Sequence, residues 1–144
     1  MKYKILIVLF ILSLVSSMSL SLKSIAEICG VGSGCEIIHY SGYNSTFGVD
    51  NSDYGIFIFA FLILLTISQM IKPTKNKKLL LYSSIIIGSG IALFFLYIQQ
   101  FVLSAYCKYC LIVDFSLILS LLVILPEINK DFPKVLNKFL HTQQ

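Results

Sequence analysis

Residues 55–102 read GIFIFAFLILLTISQMI, then KPTKNKK, then LLLYSSIIIGSGIALFFLYIQQFV. Two long apolar runs, Gly55–Ile71 and Leu79–Val102, flank a short linker that carries Lys72, Lys75, Lys77 and Lys78. A helix that crosses a bilayer needs about 20 mostly apolar residues, with a range of roughly 17–25. Both runs meet that length. Each must be helical, because a backbone amide left unpaired in hydrocarbon is too costly. The linker is then a tight turn that sends the chain back across the same bilayer, with Pro73 closing the first of the two helices.

Two further runs lie outside this pair, Ile5–Leu22 before it and Leu111–Leu125 after it. The last is short, but reaches span length when it begins near Tyr106. Of the 144 residues, 57% are hydrophobic and 12% charged, against roughly 25% charged in an average soluble domain. A soluble fold of this size could not hide so much apolar surface. The expected fold is an all-α, four-transmembrane-helix bundle, one integral membrane domain over residues 1–144. Its spans lie near residues 5–22, 55–71, 79–102 and 107–126. The segment 23–53 is rich in Gly, Ser, Asn and Tyr. It is too polar to span and too apolar to float free, so it is expected to cap the helix mouths.

Charge orients the path. All eleven basic residues are lysines. On an even four-span path, Lys2, Lys4, the four linker lysines, Lys130, Lys134 and Lys138 fall on one side, leaving Lys23 and Lys108 on the other. The positive-inside rule puts both termini in the cytoplasm. The +4 net charge follows from this bias, and nothing in it asks for nucleic acid. One alternative stays open. Lys2 and Lys4, an apolar stretch and then Ser16-Ser17-Met18-Ser19 also resemble a secretory signal peptide. Either way the segment after run one is outside.

All four cysteines map to that outer side. Cys29 and Cys35 are separated by five residues that include Gly30, Gly32 and Gly34, which let a short ring close with little strain. Cys107 and Cys110 form C-x-x-C at the start of the last run. At a helix start, backbone N–H groups favour a thiolate, and Lys108 adds positive charge. A thiol of lowered pKa is a good leaving group and a ready redox centre. Two structural disulfides remain an alternative, more for the loop pair than for C-x-x-C, whose loop is too small to stabilise much. Zinc is a third, weakened because only one pair has C-x-x-C spacing. Asp114 shares a helical face with Cys107 and Cys110. An ionisable group inside a span is a functional candidate by default, here as a supplier or relay of protons. The alternative is a carboxyl tied to a serine or threonine of another helix.

With these residues in place, the chain resembles the vitamin K epoxide reductase family, in its bacterial form. The loop pair has the bacterial spacing, and Ser41 stands where the family carries its characteristic serine. Phe47-Gly48 matches a family Phe-Gly. Asn51-Ser52-Asp53-Tyr54-Gly55 resembles the element that opens the second helix, and Cys107-Lys108-Tyr109-Cys110 opens the last. A second quinone-linked four-helix thiol oxidase family carries its C-x-x-C in the first loop, and so fits less well.

The resemblance implies an enzyme that passes electrons from outside thiols to a quinone of the ubiquinone, menaquinone or vitamin K type. Cys107 and Cys110 would be the active-site pair, with Cys110 nearer the quinone, and Cys29 and Cys35 the shuttle pair. Asn51 would hydrogen-bond a quinone carbonyl, and Ser41 would hold the lid. Tyr54, Phe57 and Asp114 join these as candidate quinone contacts, with Phe61, Phe94, Phe95 and Tyr97 as further possible lining. Two departures stand out. Vertebrate members carry tyrosine where this chain has Asp114. Many bacterial members carry a fused thioredoxin-like domain, and here only a short lysine-bearing tail follows the last run. The expected donor is therefore a separate thioredoxin-fold (DsbA-type) protein. Reduction of vitamin K epoxide itself and a non-catalytic tetraspan are the competing functions. A lysine-, isoleucine- and asparagine-rich, arginine-free composition points to an AT-rich microbial genome, and so to a bacterial inner membrane.

Overall fold

The computed structural model describes residues 1–22, 30, 33–43, 45, 46 and 48–141. Its long helices are α1 (Lys2–Leu22), α3 (Asn51–Ile71), α4 (Lys75–Tyr97) and α5 (Lys108–His141). A short helix α2 (Gly34–His39) and a two-stranded antiparallel hairpin, β1 (Ser45–Thr46) and β2 (Val49–Asp50), lie between α1 and α3. The hairpin pairs Ser45 with Asp50 and Thr46 with Val49, and Gly48 turns it with a φ of 81°, a left-handed value that suits glycine. Four segments are long and apolar enough to cross a membrane: Lys2–Ser21, Asn51–Ile71, Lys75–Val102 and Lys108–Asn129. The all-α, four-span expectation holds.

The helices begin earlier than the apolar runs. α3 starts at Asn51 and α4 at Lys75, because helical hydrogen bonding continues into a polar first turn that the run excludes. The last helix overshoots most. It continues through Pro126 and Pro133 to His141, where the sequence expectation stopped at 126.

α1 packs mainly on α3 and α5, and α4 on α5. Leu6 and Phe10 of α1 meet Phe59 and Leu62 of α3, Leu81 and Ile85 of α4, and Ile124 of α5 in one buried cluster. α1 is thus a packed member of the bundle. Elsewhere the spans turn apolar side chains outward, among them Phe57, Leu64, Leu79, Ile87 and Phe94. In water such a surface would be an aggregation liability; in a bilayer it is the lipid face.

Small residues allow close helix approach, as is common among membrane helices. A Cβ on Gly55 would come within 2.6 Å of Ser17 Oγ on α1, and one on Gly88 within 3.3 Å of Leu117 on α5. Ser89 donates its hydroxyl to the Leu117 carbonyl at 3.0 Å, linking α4 to α5. Gly90 faces open space, so it does not share that role.

The two ends of the bundle differ in chemistry. At one end Glu127 of α5 takes Lys2 of α1, Lys78 of α4 at 3.3 Å, and the Tyr82 hydroxyl. At the other, Leu20 of α1 packs against Cys35 and Cys107, and Ser21 donates to Asp53 of α3 at 2.5 Å. The Lys2, Lys78 and Glu127 group therefore sits at the end opposite Cys35 and Cys107.

Candidate functional site

Cys107 occupies the N-cap of α5, and this explains the C-x-x-C spacing. Its carbonyl accepts the first helical bond, from Leu111 N–H at 2.9 Å. Its sulfur accepts the Cys110 backbone N–H at 3.3 Å. Side-chain atoms at an N-cap satisfy the otherwise orphaned N–H three residues on. The second cysteine of the motif therefore supplies that N–H and also brings its own thiol to 2.7 Å from the first, within reach of bond formation. Cys107 lies one residue ahead of the span. The Cys110 thiol directed at its sulfur holds its pKa below the ordinary thiol value, against the opposing pull of burial, and the Cys110 N–H adds to the lowering. The sequence expectation gave part of this to Lys108, but that side chain is exposed, and the work falls to Cys110.

A third cysteine joins the pair. Ser33 caps α2 and accepts the Glu36 N–H at 3.4 Å, a Ser-x-x-Glu start of the capping-box type. This sets Cys35 in the first turn of α2. Cys35 and Cys107 are 5% and 1% exposed and form one cluster with Leu20, Ile38, Tyr109 and Cys110. Cys35 also directs a hydrogen bond toward Cys107. The approach depends on Gly34, where a Cβ would come within 2.3 Å of the Tyr106 carbonyl oxygen. Any side chain there must push α2 away from the α5 start. The partner Cys29 lies outside the described residues, as does Phe47.

Asp114 is buried on α5, and Gln99 donates its side-chain N–H to it at 3.2 Å. The Gln99 amide oxygen accepts the Cys107 backbone N–H at 3.4 Å. Gln99 sits in a π-helical turn, Ile98–Val102, that ends α4; such turns often mark functional sites. The chain then passes Ser104, whose φ is 46°. The alternative reading of Asp114 gave it a serine or threonine partner; the partner is Gln99, which the sequence reading missed. The available signal was Gln99-Gln100, an amide pair in an otherwise apolar run just ahead of the cysteines.

Gln99 also lines a small, half-open cavity of about 70 Å³ with Ile38, Tyr43, Asn51, Phe95, Ile98 and Leu103. Its lining is mostly apolar with a few polar groups, the usual character of a small-molecule site. Asn51 is part of that lining, and donates one amide N–H to the Tyr43 carbonyl at 2.9 Å. Ser41 lies just past the C-terminal end of α2, its hydroxyl and its backbone N–H both donated to Ile38 O of the same helix, so it closes the last turn of α2. Of the candidate aromatics, Phe95 lines the cavity. Tyr54 and Phe57 do not; Phe57 is 76% exposed on the outer face of α3. Phe61, Phe94 and Tyr97 are likewise exposed. An aromatic residue in a span serves lipid or pocket equally well, and only the helix rotation decides between them.

The described arrangement is a cluster of three cysteines, two buried and one half-buried, at the mouth of a four-helix bundle, beside an apolar cavity with two amides. Neither the curated proteins nor the solved structures contain a match to this chain. A family model described as "Vitamin K epoxide reductase family" matches residues 4–125, which takes in all four helices through the last core residues of α5. The chain therefore belongs to the vitamin K epoxide reductase family.

Proposed function

We propose that this protein oxidises thiols on the outer side of a bacterial inner membrane and hands their electrons to a quinone, in support of disulfide formation. The coarser part comes with the family: an integral membrane oxidoreductase linked to thiols and a quinone. The observation that carries the finer part is Cys35 packed against Cys107. Two purely structural disulfides have no need of a third sulfur at the C-x-x-C.

The steps follow from thiol–disulfide exchange. A thiolate of a separate thioredoxin-fold protein attacks the Cys29–Cys35 disulfide, and the donor's second thiol resolves the mixed disulfide, leaving both loop cysteines reduced. Cys35 then attacks Cys107 of the oxidised active-site pair; the Cys35–Cys107 bond forms and Cys110 leaves as thiolate. Cys29 attacks Cys35, re-forming the loop disulfide and releasing Cys107. Two electrons have moved from the donor to Cys107 and Cys110. The low thiol pKa of Cys107 makes it a good leaving group in the last exchange. A quinone held in the cavity supplies the two-electron acceptor. Asn51 would bind its carbonyl, Phe95, Ile98 and Leu103 would enclose it and exclude water, and Asp114 would relay a proton. The lysine end faces the cytoplasm with both termini, by the positive-inside rule.

The test is direct. Purified protein in detergent, given a reduced thioredoxin-fold protein and either menaquinone or ubiquinone, should reduce the quinone in step with thiol loss. Thiol oxidation with neither quinone reduced would overturn the proposal.

A further inference from the structure

Gln99 is hydrogen-bonded to both Cys107 and Asp114. Its amide oxygen holds the Cys107 N–H at 3.4 Å, its N–H holds Asp114 at 3.2 Å, and it lines the cavity beside Asn51. It is 3% exposed, so neither bond is exchanged freely for water. The π-helical turn gives it this reach, since the extra residue in the turn offsets the last stretch of α4 against the helix that precedes it.

We infer that Gln99 is a positioning residue that holds the Asp114 carboxyl away from the active-site sulfurs and so keeps the reduced thiol pair accessible. The inference rests on the proposed thiol oxidation, but concerns the redox balance of Cys107 and Cys110 alone. An ionised carboxyl one to two helical turns from two sulfurs repels the thiolate that each must become. A hydrogen bond from Gln99 fixes the carboxyl and takes up part of its charge. Without that bond the carboxyl turns toward the sulfurs, the thiolate is disfavoured, and the disulfide gains. Among the described residues, the other ionisable groups at this end are Cys35, Glu36 and His39 of α2, Tyr40 and Tyr43 after it, Asp50, Asp53 and Tyr54 at the start of α3, Tyr97 at the end of α4, and Tyr106, Lys108 and Tyr109 around the start of α5, while α1 has none between Lys4 and Leu22; Glu36, Asp50 and Asp53 are only half-buried. Asp53 is tied to Ser21, and Lys108 is exposed. Asp114 is thus the buried carboxyl of the site.

The experiment equilibrates purified protein, with Cys29 and Cys35 both replaced by alanine, in dithiothreitol redox buffers at about pH 8, without quinone. Gln99→Leu should shift the Cys107–Cys110 equilibrium toward the disulfide by at least tenfold. Adding Asp114→Asn should remove most of that shift. Gln99→Glu keeps the shape and the acceptor for Cys107 but sets a second carboxyl against Asp114. It should shift in the same direction, with the same cure, and it decides the matter where Gln99→Leu does not fold. No shift in either variant, or one of equal size with Asp114 and with Asn at that position, overturns the inference. Because no quinone is present, the outcome stands apart from whether the enzyme reduces one.

Discussion

Cys29→Ala or Cys35→Ala should abolish turnover with a protein thiol donor and leave a measurable rate with a small membrane-permeant dithiol. Cys107→Ala or Cys110→Ala should abolish both. The asymmetry follows from burial. Cys107 is 1% exposed beneath α2, out of reach of a folded donor but not of a small molecule that diffuses in through the lipid. On the proposed route a protein donor reacts with the loop pair alone. The measurement is quinone reduction with each donor in turn. Equal loss with both donors from the loop variants would remove their shuttle role.

Asn51→Ala should slow quinone reduction by roughly 10²–10³, the usual cost of losing one donor aimed at developing negative charge in a water-poor site. Disulfide exchange between the thiol donor and the loop pair should persist. The distinction matters because Asn51 also holds the Tyr43 carbonyl at 2.9 Å. If its main role were to fasten the loop, exchange with the donor would fall as far as quinone reduction. Stopped-flow quinone reduction beside gel-shift thiol trapping separates the two.

The four spans were legible because lipid imposes a length and a polarity that few other environments demand, and the lysine linker joined two of them without ambiguity. The end of α5 was not, since prolines such as Pro126 usually mark a stop and here stand inside a continuing helix. Cys107 and Cys110 read as a helix start because they open the last apolar run; the N-cap bond from the Cys110 N–H was not legible there. That Cys35 would reach them was implied only by family resemblance. Its real cause, the side-chain-free approach of Gly34 to Tyr106, is a contact between segments far apart in sequence. Asp114 announced itself as a carboxylate in a span. Gln99 did not, because a neutral amide near the end of an apolar run carries no periodic signal, and the π-helical turn that aims it is invisible in composition. The outward rotation of Phe57 was equally hidden.

The central claim is that Cys35 hands electrons to Cys107, and disulfide trapping tests it most directly. In a Cys110→Ala variant, Cys107 has no resolving partner, so oxidation in the membrane followed by alkylation and peptide mass analysis should find a Cys35–Cys107 disulfide as the main cross-link. Recovery of Cys107 as a free, alkylated thiol with Cys29–Cys35 intact under the same oxidation would contradict the account.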